Sequence, residues 1–158
     1  IMKSFSTKKN FDLNLTVVGD GSYLNNAVDF VKINKLKNVK FVGRKNGLEL
    51  IHFFKNSGIY ILPSHSEGMP TSVLEAMAFG LPIITSPVGG INDFFLEKKM
   101  GFLVNHKKID LYKRKILHLI ENPKLVKSIS IFNHCYIVEN LLASTVVKKL
   151  ENEISLIS

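Results

Sequence analysis

Short apolar runs and amphipathic stretches alternate along the chain, separated by turn-forming residues. The apolar runs predict β-strands at residues 13–18, 39–42, 59–62, 82–85 and 102–104. Apolar residues at helical spacing predict helices at 23–33, 48–56, 70–80, 109–121 and 124–157, the last broken near residues 135–139. Continuous apolar strands that alternate with amphipathic helices are typical of an α/β fold, here a Rossmann-like parallel sheet with helices on both faces.

Four of the predicted strands end in turns that carry Gly, Pro or Ser. These turns are Gly19-Asp20-Gly21, Gly43-Arg44, Pro63-Ser64 and Gly89-Gly90. In parallel sheets ligands bind beyond the carboxyl ends of the strands, so such turns gather on one rim. We expect a ligand cleft at this rim, although glycines that only form tight turns would give the same pattern.

Two glutamates stand out in the stretch SEGMPTSVLEAMAFG, residues 66–80. Glu75 interrupts an apolar helical run, where a carboxylate is costly unless a partner uses it. The amides of Thr71 and Ser72 at the helix start suit an anion, and Glu75 one turn later could bind the vicinal diol of a ribose. Glu67 would then face the sugar of a nucleotide sugar. An exposed helix position for Glu75 and a solvated loop for Glu67 explain the spacing equally well.

Composition indicates one globular domain of 158 residues with a net charge of +8. The cations are nearly all Lys and are scattered, which favours a solvated surface over a basic face toward anionic lipid or a phosphate-bearing substrate. Without clustering or stacking aromatics, we expect no nucleic-acid partner. The five histidines lack ligand spacing, so we expect no metal cofactor. The one cysteine, Cys135, excludes an internal disulfide and is predicted to be buried. No apolar run is long enough to span a bilayer.

The segment ILPSHSEGMPTSVLEAMAFGLPIITSPVGG, residues 61–90, resembles the retaining nucleotide-sugar glycosyltransferases of group 1 (family 4), which have the GT-B fold. Their E-x7-E motif matches Glu67 and Glu75, followed by Ala76-Met77-Ala78, Gly80 and Pro82. The likeness extends to LTVVGDGSY, VKFVGRKNGLELIHFFKNSGIYILPS, VGGINDFF and GFLV, so that it covers most of the chain.

The resemblance implies specific roles for the site residues. Glu75 would bind the ribose hydroxyls, and Glu67 would lie against the donor sugar and help to stabilise charge at the reacting centre. The intervening backbone would hold the sugar and diphosphate, and two basic residues after the second strand would meet the base. The backbone stretch is Gly68, Met69, Pro70, Thr71 and Ser72, and the basic residues are Arg44 and Lys45.

Two departures from the family pattern concern the donor site. Met69-Pro70 stands where the family usually has an aromatic residue and Gly, and Pro70 lacks an N–H. Asp93 stands where a Glu is usual after the paired glycines. The sequence therefore leaves the preferred donor sugar open, together with the donor base and the acceptor.

The resemblance also implies parts that precede Ile1. The family's phosphate-binding Arg and Lys, its first donor-lobe strand and its N-terminal acceptor lobe all come earlier in the chain. We therefore expect residues 1–158 to be the donor-binding C-terminal lobe without its first strand, inactive alone and prone to associate through open strand edges.

For the full-length protein, the resemblance implies transfer of a hexose, with retention, from a nucleotide-diphosphate sugar to a glycan or lipid acceptor, as in lipopolysaccharide biosynthesis. The expected location is the cytoplasm, with a peripheral contact at the inner face of the membrane. One alternative is a noncatalytic nucleotide-sugar-binding module from a truncated or degenerate gene. Another is a structural partner that no longer binds ligand.

Overall fold

A computed structural model of the chain describes residues 13–141 and residue 145. It divides into two compact units, Ile1–Lys55 and Asn56–Ser158. Each unit contains a parallel sheet whose strands alternate with helices along the sequence, as the apolar pattern predicted.

The first unit contains two strands and two helices. Strand β1 (Leu15–Val17) is followed by helix α1 (Leu24–Ile33), strand β2 (Val39–Phe41) and helix α2 (Gly47–Lys55). The strands pair in parallel, with Leu15 opposite Val39 and Val17 opposite Phe41. Beyond their carboxyl ends the two glycine turns meet, because the Gly19 N–H donates to the Gly43 carbonyl at 2.9 Å.

The second unit contains a three-stranded parallel sheet in the order β3-β4-β5. Its elements are β3 (Tyr60–Leu62), α3 (Thr71–Ala78), β4 (Ile83–Thr85), α4 (Ile91–Phe94), β5 (Gly101–Leu103), α5 (Ile109–Glu121) and α6 (Pro123–Asn140). Every residue of the central strand β4 is buried. Thr85 is tolerated there because its hydroxyl donates to the Leu62 carbonyl of β3 at 3.0 Å.

Helices α3 and α5 pack against this sheet, and α6 packs against both helices, each with side chains buried at helical spacing. Their buried residues are Val73, Ala76 and Met77 of α3, Tyr112, Ile116 and Leu119 of α5, and Ile129, Asn133 and Ile137 of α6. Helix α3 stops where α6 crosses it. A Cβ on Gly80, at φ +72°, would lie 2.5 Å from Ser130 Oγ. Gly80 therefore both ends α3 and allows the close approach of α6.

The predicted break in the last helix is wrong within the described residues, because α6 is continuous through residues 135–139. Ile129, Asn133 and Ile137 lie four residues apart and form one buried stripe across the predicted break. Cys135 lies off that stripe and is exposed, so the prediction of a buried thiol is wrong as well. The predicted helix beyond residue 141 lies outside the described residues, apart from residue 145. The short helix α4 was not predicted.

Candidate functional site

Helix α3 presents one exposed stripe beside the carboxyl end of β3. Thr71, Glu75 and Phe79 are exposed, whereas the opposite side of the helix is buried in the core. The carboxylate of Glu75 therefore needs no internal partner to offset burial, and the exposed helix position is what the structure shows. An exposed carboxylate one turn into a helix remains available to a ligand.

The loop between β3 and α3 holds Glu67 by its side chain and by its backbone. Ser64 Oγ donates a hydrogen bond to Glu67 Oε1, and Glu67 is half-buried. The Gly90 N–H from the loop after β4 donates to the Gly68 carbonyl at 2.9 Å. A Cβ on Gly89, at φ +53°, would lie 1.8 Å from the Glu67 carbonyl oxygen. Gly89-Gly90 therefore does more than turn the chain, because it packs against the backbone that carries Glu67.

Tyr60 of β3 lies in surroundings that raise the pKa of its phenol. Burial raises the pKa of the Tyr60 phenol, a hydrogen bond with Ser72 lowers it, and the negative charges of Glu67 and Glu75 raise it further. The Ser72 hydroxyl is thus a hydrogen-bond partner of the Tyr60 phenol, and the charges of Glu67 and Glu75 act on that phenol electrostatically. The sequence had not singled out Tyr60.

The start of α3 offers fewer amides than the sequence predicted. The Thr71 N–H, expected to be free for an anion, donates to the Met69 carbonyl at 2.9 Å. Pro70 precedes the helix as a buried residue without an N–H, and its carbonyl accepts from the Val73 N–H at 2.9 Å. Met69 is 61% exposed above this turn. An anion at this terminus would have to displace the Thr71 contact or use the other donors.

Residues 1–132 match the family described as glycosyl transferases group 1. The chain belongs to this family. An uncharacterized glycosyltransferase from Haemophilus influenzae is 37% identical over 127 residues, which are 78% of this chain and 35% of that protein. The UDP-Gal:alpha-D-GlcNAc-diphosphoundecaprenol alpha-1,3-galactosyltransferase of Escherichia coli is 31% identical over 111 residues, 69% of this chain and 28% of that protein. The chain thus spans about a third of the length of the relatives that it matches.

Solved structures of group 1 glycosyltransferases share the fold. The C-terminal domain of LpcC from Francisella tularensis superposes with a TM-score of 0.77 at 23% identity, covering 90% of this chain and 77% of that domain. Anabaena HepE in complex with UDP-glucose superposes with a TM-score of 0.79 at 19% identity, covering 90% of this chain and 40% of that protein. The Rossmann-like, GT-B-type fold expected from the sequence is therefore confirmed.

Arg44 and Lys45, the basic residues that a group 1 glycosyltransferase would turn toward the base, belong to the first unit. They are the third and fourth residues after β2. Arg44 is exposed, and Lys45 Nζ lies 3.0 Å from Glu49 Oε1 one helical turn later. Their contact with a base stays a prediction, because the glutamates lie in the second unit.

The loops after β3 and β5 also bring two histidines into contact. The His65 and His106 rings lie 4.9 Å apart, centroid to centroid. Within the described residues, no three His, Cys, Asp or Glu side chains are grouped so as to hold a metal ion. The absence of a metal requirement stays a prediction. In the same part of the chain, no helix has both the length and the apolar character to cross a bilayer.

Proposed function

We propose that the second unit binds a nucleotide-diphosphate sugar between Glu67 and Glu75. The observation that carries this proposal is the exposed Glu75 carboxylate on α3, the helix that follows the loop in which Ser64 holds the Glu67 carboxylate. The exposed Glu75 carboxylate can accept a hydrogen bond from each hydroxyl of a ribose diol, and Glu67 faces the sugar from the adjoining loop. Gly68, Met69, Pro70, Thr71 and Ser72 then line the diphosphate between them.

The reaction proposed for the full-length protein is hexosyl transfer with retention. The bond between the anomeric carbon and the diphosphate oxygen breaks, and the acceptor hydroxyl oxygen forms the new bond to that carbon and loses its proton. The leaving diphosphate gains negative charge, so donors already oriented toward it accelerate the reaction. Glu67 lies on the opposite, sugar side, where a carboxylate stabilises positive charge at the reacting centre. We assign no covalent nucleophile.

The relatives support the donor and acceptor classes that we propose. The E. coli relative is named for transfer from UDP-Gal to a diphosphoundecaprenol-linked sugar, and HepE was solved with UDP-glucose. By analogy, we place the full-length protein in the synthesis of a lipid-linked glycan such as lipopolysaccharide. We also propose a cytoplasmic location with peripheral contact at the inner membrane face, where a lipid-linked acceptor would lie.

Calorimetry on the chain tests the donor site. The ligands are UDP-glucose, GDP-mannose and ADP-glucose, together with the parent diphosphates, because the base is open. Glu75→Ala removes two charge-assisted hydrogen bonds, so the affinity should fall on the order of 30- to 1000-fold. Glu121→Ala, an exposed glutamate of α5, is the matched control and should bind like the unaltered chain. Unchanged affinity after Glu75→Ala would remove Glu75 from the site.

The same titration in EDTA tests the expectation that no metal takes part. Helix amides and basic side chains can neutralise the diphosphate without a cation, so EDTA should change the affinity by less than about twofold. Strict dependence on added Mg²⁺ or Mn²⁺ would contradict the proposed mode of diphosphate binding.

A further inference from the structure

Glu67 lies on a loop, yet its carboxylate is held from within that loop. Ser64, the second residue after β3, donates its hydroxyl to Glu67 Oε1 across three positions of sequence. Ser64 and Glu67 are both partly buried, whereas the intervening His65 and Ser66 are exposed. A hydrogen bond to an ionised carboxylate is strong for its kind and directional, so it fixes the orientation of the side chain relative to the end of the strand.

The backbone of Glu67 is fixed by the turn that follows β4. The left-handed conformation of Gly89 and the Gly90 N–H bond to Gly68 bring the two loops into direct contact. At Gly89 a Cβ would overlap the Glu67 carbonyl, so only glycine permits this approach. The carbonyl of Glu67 thus has its place set from the neighbouring strand as well as from its own loop.

The turn after β4 is itself anchored in the core. Tyr112 of α5 donates its hydroxyl proton to the Val104 carbonyl at 2.8 Å, and Ser86 Oγ lies 3.1 Å from the same phenol oxygen. Since the single Tyr112 proton is used on Val104, the Ser86 hydroxyl is the donor to Tyr112. Ser86 and Tyr112 are fully buried. A chain of hydrogen bonds therefore runs from helix α5 to the start of the Gly89-Gly90 turn.

We propose that Ser64 is the positioning residue of Glu67. It acts on the sugar half of the donor by orienting the Glu67 carboxylate, over a backbone held by Gly89-Gly90. This inference rests on the proposed function, because it assigns a purpose to Ser64 only where Glu67 faces a sugar. The site then has two sides. On the sugar side Ser64 orients the Glu67 carboxylate, and on the nucleotide side helix α3 presents Glu75.

Isothermal titration of the whole chain tests this division. The first ligand is the sugar nucleotide that binds most tightly among UDP-glucose, GDP-mannose and ADP-glucose. The second ligand is the nucleoside diphosphate from which that sugar nucleotide derives. Ser64→Ala should weaken binding of the sugar nucleotide about three- to tenfold while changing the diphosphate affinity less than about twofold. Ser64→Thr, which keeps a hydroxyl, should restore most of the loss. Ser66→Ala, an exposed serine of the same loop, is the control and should match the unaltered chain.

A double-mutant cycle with Glu67→Gln shows whether Ser64 acts through Glu67. If it does, Ser64→Ala should cost little once Glu67→Gln is present, because the oriented carboxylate is already gone. Additive losses, or equal losses of sugar nucleotide and diphosphate, would mean that Ser64 only supports the fold, and would overturn the inference while the proposed function stands. An unaltered chain that binds none of the nucleotides would overturn the proposed function, and the inference with it.

Discussion

Strand β4 of the second unit is buried along its whole length, whereas β1 and β2 of the first unit are half-exposed or exposed at every position. Among the described residues 13–55, Phe54 is the one buried side chain, and helix α1 buries none. In the second unit, helices α3 and α5 pack against a strand that is paired on both edges, and α6 packs against these two helices. Both units follow the same β-α pattern, so pattern alone does not set stability. A two-stranded sheet is marginal by itself, whereas a third strand with covered faces supplies a core.

The largest expected effect on stability comes from adding a side chain at Gly101, where β5 lies against β4. Gly101 of β5 has φ +141°, and a Cβ there would lie 1.9 Å from the Ile83 carbonyl oxygen. Gly101→Ala should therefore lower the free energy of unfolding of the second unit by about 3–5 kcal/mol, measured by urea denaturation. Gly21→Ala in the first unit is the matched variant, because nothing lies within 4 Å of its Cβ position. It should stay within about 1 kcal/mol. Equal losses would show that the two units do not differ as their packing indicates.

Native-state hydrogen exchange measures the comparison directly. The Ile84 and Thr85 amides in the buried strand should exchange only when the second unit opens globally. The Val17 and Lys40 amides, in the half-exposed sheet, should exchange through openings that are easier by about 2 kcal/mol or more, roughly 30-fold in rate. The amide of Asn34, which donates to Phe30 at the end of α1, provides an internal reference for fraying. Similar protection in both sheets would contradict the difference in stability.

A third comparison separates the two glutamates within the second unit. Glu67→Gln should leave the affinity for a nucleoside diphosphate within about twofold, because the proposed partner of Glu67 is the sugar. In the full-length protein it should lower turnover. Glu75→Ala should instead weaken the binding of the nucleoside diphosphate itself. Titration of both variants with the same diphosphate provides the test, and equal loss in both would mean that Glu67 also contacts the nucleotide.

Sequence patterns predicted the elements well where local apolar spacing decides the structure. All five strands were predicted, four of them one to three residues too long and the fifth displaced by one residue, and helix 109–121 was predicted with its bounds. A break was predicted in α6 near residues 135–139, where the structure has a continuous helix. Asn133, however, is buried and donates to the Leu81 and Met100 carbonyls at 2.8 and 3.1 Å. These carbonyls lie just before β4 and β5, so Asn133 supplies hydrogen bonds where two strands begin. The periodicity of apolar residues alone cannot distinguish such a buried polar residue from one at the surface.

The sequence motif of the site could be predicted, but the contacts between its residues could not. Glu67 and Glu75 were identified from their spacing and context. The contact of Gly89 with the Glu67 backbone was not, because it joins residues that are distant in sequence and depends on a left-handed φ. The role of Tyr60 was hidden for a similar reason, since a tyrosine in an apolar strand is expected to bury its ring and not to be affected by two carboxylates. The signal in the sequence was that Tyr60, which carries a polar hydroxyl, stands at the start of the strand that precedes the stretch with Glu67 and Glu75.

The smallest expected effect tests whether Tyr60 links the site in the way that its surroundings indicate. Tyr60→Phe removes the hydrogen bond with Ser72 and should cost about 0.5–1.5 kcal/mol of unfolding free energy at pH 8. Tyr23→Phe is the matched control from the first unit, because Tyr23 is 80% exposed and should change little. Urea denaturation of the three chains measures both differences.

The difference in unfolding free energy between the unaltered chain and Tyr60→Phe should change with pH in a definite direction. Burial first, and the two glutamates after it, raise the pKa of Tyr60 above 10.0, the ordinary value of a tyrosine, which the unfolded chain would show. The folded state thus binds the phenolic proton more tightly than the unfolded state. The stabilisation from this proton is complete below pH 10 and is lost as the pH rises through the raised pKa. The advantage of the unaltered chain over Tyr60→Phe should therefore shrink above pH 10. An advantage that grows with pH would mean that the phenolate is stabilised in the fold, and would contradict the effect of the two carboxylates on Tyr60.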